Sequence, residues 1–189
     1  MRIKHKRLLQ GLQLSLTLTV LLGISSCFSL TSPELLNKKQ KALELVDQGT
    51  IALREIRLER AKGAFLAALE VSANAAAFDG LGCVAFLSGD LDQAESFFLQ
   101  AYKQDPNYVN VLGNLALLYE SRGEAELAYE MYQKILTQQP ENFRARNNFA
   151  AYLSDYNLED SAKSELFKAL ALAKHPTVQE NLERMKAYE

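Results

Sequence analysis

Histidine and cysteine are scarce in this chain: only His5 and His175, and only Cys27 and Cys83, occur among 189 residues. Zinc clusters and histidine-based catalytic triads therefore have almost no raw material. Surplus charge of one sign is also lacking. Lys plus Arg number 21 and Asp plus Glu 23, a formal charge of −2, so the basic footprint of a DNA- or RNA-binding protein is missing and no nucleic-acid partner is expected. With 48% apolar and 23% charged residues, the composition is that of one ordinary globular unit.

The amino end carries Arg2, Lys4, Lys6 and Arg7, with no acid before Glu34, and then an apolar run from Leu14 to Leu22. That charge-then-apolar order reads as a secretory leader over residues 1–26. As a permanent span the run is poor, because Gln10, Gln13, Ser15, Thr17 and Thr19 interrupt it. It closes on Ile24-Ser25-Ser26-Cys27, which resembles the bacterial lipobox. The resemblance implies cleavage before Cys27 and acylation of its thiol, a covalent lipid and no other cofactor. Several acyl chains make membrane residence stable. Phe28 follows where an aspartate favours inner-membrane retention in enteric-like bacteria, so the resemblance implies an outer-membrane lipoprotein facing the periplasm. In a monoderm it implies the outer face of the cytoplasmic membrane. Removing residues 1–26 takes away four bases and no acid, leaving 17 against 23, or −6, on the exported body. Residues 27–32 then form a short membrane-proximal tether.

Shifting the chain by 34 positions aligns Leu81, Leu115 and Phe149, and likewise Gly82, Ala116 and Ala150. The same shift aligns Gly89, Gly123 and Asn157; Ala94, Ala128 and Ala162; Phe98, Tyr132 and Leu166; and Ala101, Ile135 and Ala169. Small residues allow close helix approach, and large ones fill the space that remains. Glycine, or failing that asparagine, suits a left-handed turn. This spacing resembles the tetratricopeptide repeat, with units at 75–108, 109–142 and 143–176. A degenerate fourth unit is expected within 33–74, because Ala61, Phe65 and Ala68 match at a shift of 33, with Ile56 where a turn glycine belongs. Thr31-Ser32-Pro33-Glu34 has the spacing of a helix-starting capping box. The segment 177–189, with Val178, Leu182 and Met185 on one face, is expected to cap the stack. The fold expected is therefore all-α, a superhelix of helical hairpins.

In that family the first helix of each unit lines a concave wall that holds extended peptides or partner helices. The resemblance places on it Asp79, Cys83 and Phe86, then Asn110, Asn114, Leu117 and Glu120, then Arg144, Asn147, Asn148 and Ala151. Asn110, Asn114, Arg144, Asn147 and Asn148 are the candidate partner-binding residues. Asn114, Arg144 and Asn148 occupy slots resembling part of a carboxylate clamp, a planar donor fork beside amides. Ala76 and Gly80 depart from that pattern in the first unit. Cys83 reads as a small core residue rather than a nucleophile, and His175 as an exposed turn residue. No catalytic residue and no metal site is expected.

The function implied is a non-enzymatic, lipid-anchored scaffold that binds another envelope protein. Lipoproteins of similar architecture include pilotin-like proteins, which help assemble secretin pores for pili or secretion systems, and NlpI-like scaffolds, which gather peptidoglycan enzymes. Assembly of a pilus or secretion machine is the preferred reading. A pocket-bearing enzyme or ligand-binding module, and self-association through stacked ends, are the alternatives.

Overall fold

The computed structural model describes residues 32–186, so the leader and Cys27 lie outside the described residues. Among these residues there are nine helices and no strand: α1 (Pro33–Arg54), α2 (Leu58–Val71), α3 (Ala75–Leu87), α4 (Leu91–Gln104), α5 (Asn110–Arg122), α6 (Ala125–Gln138), α7 (Phe143–Asp155), α8 (Glu159–Leu172) and α9 (Pro176–Lys186). They pack as successive antiparallel hairpins, α1 with α2 through α7 with α8, and α9 closes on α8. The expected all-α superhelix of helical hairpins is what the chain forms.

One turn is used four times. Ile56, Gly89, Gly123 and Asn157 all take positive φ, at 57°, 82°, 73° and 59°. After each, the next residue's N–H donates five residues back, from Arg57 to Ala52, Asp90 to Ala85, Glu124 to Tyr119 and Leu158 to Leu153, at 2.8–3.0 Å. This bond closes the helix C-terminus and leaves the following helix antiparallel. Ile56 thus makes the same turn as the glycines, and the first hairpin is no looser than the rest.

Helix starts differ in detail from the capping-box expectation. The α1 cap is Ser32, whose hydroxyl accepts from the Leu35 N–H at 3.2 Å, with Pro33 as the first helical residue. Asn74, Asp90 and Asn142 cap α3, α4 and α7 in the same way, at 2.8–3.0 Å. Helix α9 starts at Pro176, where the His175 ring nitrogen accepts from the Thr177 N–H at 3.3 Å.

Packing follows the alternation of small and large side chains. A Cβ on Gly82 would overlap the Phe98 ring, and one on Gly49 or on Gly80 would overlap the ring of Phe65. Phe65 and Phe98 are both almost fully buried, as are Tyr132 and Leu166 at the equivalent slot. Gly80, which lacks a clamp side chain, is therefore the seat of a ring from the preceding unit. Tyr119, Tyr132 and Tyr152 are core, whereas Tyr129 and Tyr156 are exposed. Val178 and Leu182 of α9 are buried on the last hairpin, with Met185 packed beside them.

Candidate functional site: a two-part groove

Helices α3, α5 and α7 are the first members of their hairpins, and the side chains between them line two adjoining hollows. The first, of about 200 Å³, is apolar and is formed by Leu53, Phe86, Leu87, Phe98 and Leu117, with Cys83 and Asn114 at its edge. The second, of about 260 Å³, runs from Asn110, Asn114 and Leu117 to Arg144 and Asn148, over Tyr132 and Ile135. Asn114 and Leu117 belong to both, so the hollows form one groove, apolar at the α1/α3 end and polar at the α7 end.

Asp79 is not on the wall: it is 8% exposed. Tyr108 donates to its Oδ2 at 3.1 Å, and the Asn114 amide donates to its Oδ1 at 2.7 Å. Burial raises the Asp79 pKa, against the opposing effect of those two donors. The amide nitrogen of Asn114 is thus engaged within the protein and also approaches Cys83 Sγ at 3.5 Å. Burial first, and then the Asp79 charge, push the Cys83 thiol up to about 12, so it stays protonated at neutral pH and is a poor nucleophile.

Of the five candidate residues, Asn110, Asn114, Arg144 and Asn148 line one groove. Asn147 faces elsewhere. Its Oδ1 accepts from Asn181 of α9 at 2.9 Å, which ties the capping helix to α7. Arg144 is exposed and lies 5.7 Å from the Phe143 ring centroid. It has no carboxylate partner among the described residues, unlike Arg122, held by Asp92 and Glu95, and Arg146, held by Glu165. At the opposite ends of the same helices, Glu120 accepts from Tyr132 at 2.6 Å, and burial, with a contribution from Asp155, raises its pKa. Ala151, Ser154 and Asp155 line a separate shallow hollow with Asn181 and Arg184. His175 is exposed and its ring lies 5.4 Å from Phe143.

Sequence reasoning missed Leu53, Phe98, Tyr132 and Ile135 as groove floor. They come from α1 and from the second helices of their hairpins, and they line the groove together with the first helices. No group of three or more His, Cys, Asp or Glu side chains able to hold a metal occurs among the described residues. None of the described helices is long and apolar enough to cross a membrane.

Two family models described as tetratricopeptide repeat match the chain, at residues 46–109 and 85–146, together more than half of its 189 residues. The uncharacterized protein ycf37 of Pyropia yezoensis is 38% identical over 60 residues, 32% of this chain and 34% of that protein, so the chain matches about a third of that relative's length. Among solved structures, PilF of Pseudomonas aeruginosa superposes with a TM-score of 0.71 at 22% identity, covering 79% of this chain and 69% of that one. YrrB, described as a TPR protein with an unusual peptide-binding site, gives 0.59 at 17% identity, covering 76% and 74%. MamA gives 0.59 at 22% identity, covering 70% and 78%. These structures share the fold, and tetratricopeptide repeats are generally non-catalytic modules for protein interaction. By its repeat period, its recurring left-handed turns and the matching models, the chain belongs to the tetratricopeptide repeat family.

Proposed function

We propose that this protein is a non-enzymatic scaffold of the bacterial cell envelope, anchored by acyl chains on Cys27, that holds an extended segment of another envelope protein in the groove. The observation that carries this reading is the groove itself, an apolar hollow continuous with a polar one whose cation, Arg144, has no carboxylate partner among the described residues. Such a surface suits a peptide with a large apolar side chain at one point and an acidic group further along. The peptide-binding site named for YrrB, on a similar fold, supports the reading. For the anchor, the support is the leader ending in Ile24-Ser25-Ser26-Cys27. In a diderm bacterium the protein faces the periplasm from the outer membrane.

The preferred process is assembly of a pilus or secretion machine, for which the fold shared with PilF is the supporting likeness. Cross-linking and pull-down from detergent-solubilised envelopes test the scaffold, comparing the native chain with Cys27→Ser. One stoichiometric envelope partner, with mislocalisation of the Ser form, is the expected result. If the Ser form is processed and fractionates unchanged, there is no lipid anchor. Normal pili and normal secretin multimers in a deletion strain contradict the pilus or secretion role.

A further inference from the structure

Helix α1 is 22 residues long and its hairpin partner α2 only 14, so the leading turns of α1 project beyond the hairpin. Every residue from Ser32 to Lys41 is exposed, and burial begins at Ala42. By helical periodicity Leu35 continues the line of Ala42, Val46 and Gly49, the buried face of α1, yet it is 42% exposed. Leu36 and Leu43, two turns apart beside it, are 67% and 50% exposed. The same turns hold Lys38, Lys39 and Lys41 against the single acid Glu34, a local formal charge of +2 over 33–43 in a chain whose total is −2. Lys38 pairs with Glu34 at 2.9 Å and Lys41 with Glu44 at 3.3 Å. Both pairs are solvent-exposed, so little is lost when the ammonium groups turn to other anions. Lys39 shares the leucine arc, and its long stem can lie along apolar surface while its head reaches outward.

We propose that this projecting part of α1 lies on the surface of a bilayer containing anionic lipid. Leu35, Leu36 and Leu43 enter the boundary between headgroups and acyl chains, and Lys39, within their arc, and Lys38, at its flank, meet lipid phosphates. An apolar arc with one lysine within it and another at its flank suits an interfacial helix, the ammonium groups reaching outward along their stems, and basic residues beside a membrane are attracted to anionic lipid. The proximity rests on the lipoprotein reading: only four residues separate Cys27 from Ser32, each spanning at most about 3.5 Å. Acyl chains alone tether the body without orienting it. The α1 contact fixes the stack at one end, so an exported body of net negative charge is still held in one pose on a negative surface.

The chain has no tryptophan, so Leu36→Trp in the full chain gives a single tryptophan, excited selectively over the tyrosines, with Phe167→Trp, on exposed α8 surface, as the control. Each protein is reconstituted in phosphatidylcholine vesicles with or without phosphatidylglycerol, the acyl chains brominated. The expected result is a blue-shifted, bromine-quenched emission from Leu36→Trp on the vesicles with phosphatidylglycerol, and neither effect from Phe167→Trp. Charge reversal by K38E and K39E together abolishes the quenching and leaves the far-ultraviolet circular dichroism unchanged. Emission from Leu36→Trp that matches the control on both vesicles, or equal quenching with and without phosphatidylglycerol, overturns the proposal. A blue shift without vesicles also overturns it: one that grows with protein concentration means a second copy covers the patch, and one that does not means another part of the chain does. Intact mass of the same sample reads acylation separately, so an unmodified Cys27 refutes the anchor while the fluorescence still judges the helix.

Discussion

Ile56 holds a φ of 57° with its side chain 75% exposed. A β-branched residue in that region costs on the order of 1–3 kcal/mol, with little burial to offset it. Ile56→Gly should therefore stabilise the protein by about 1 kcal/mol, seen as a higher urea midpoint with an unchanged slope. The helical glycines divide by what surrounds them. Gly80→Ala forces a Cβ into the Phe65 ring and should destabilise by about 1–3 kcal/mol. Gly63→Ala, in α2 with open space around it, should stabilise by about 0.5–1 kcal/mol. Asp79 makes stability depend on pH. Burial raises its pKa in the folded state, so the folded chain keeps a proton that the unfolded chain has released. Its contribution is fully present below the unfolded carboxylate pKa, about 3.9, and is lost as pH rises through the folded value. Urea unfolding across pH should therefore show Asp79→Asn gaining on the wild type as pH rises through that window; a pH-independent difference refutes the assignment.

Elements are joined by a few charged side chains that reach from one helix to another. Arg146 of α7 donates to the Pro140 carbonyl at 2.9 and 2.6 Å and to Glu165 of α8 at 2.5 Å. The Glu165 side chain is only 11% exposed, and with Arg146 gone it loses its 2.5 Å guanidinium partner while Lys168, half exposed, stays at 2.6 Å. Arg146→Met should cost about 2 kcal/mol, because a charge is left underpaired in a dry setting. Adding Glu165→Leu should recover most of that loss, and a double-mutant cycle by urea unfolding measures the coupling. The hairpins themselves were legible in the sequence, because the slots of Gly82, Phe98 and Gly89 recur and each has a local cause. The pairing of Asp79 with Asn114 was not. The two lie 35 residues apart on neighbouring units, and no local pattern distinguishes a buried carboxylate from one displayed on the wall. For the same reason Gly80 read as an absent clamp residue, when the Phe65 ring occupies its place. Asn147 kept the periodic slot of a groove residue but is claimed by Asn181 of α9, beyond the last repeat, where the period no longer informs.

At the scale of the whole molecule, the stack presents one groove that changes from apolar to polar along its length, and the central claim is that a partner protein lies there. Leu117 is 46% exposed and belongs to both hollows, so it touches any occupant of either one. The most direct test places a photo-crosslinking amino acid at Leu117, and in a second strain at Phe167 on α8, and irradiates living cells. A single envelope protein joined at Leu117, absent at Phe167 and lost with Arg144→Glu, is the result expected. Adducts at Phe167 with none at Leu117 contradict the claim.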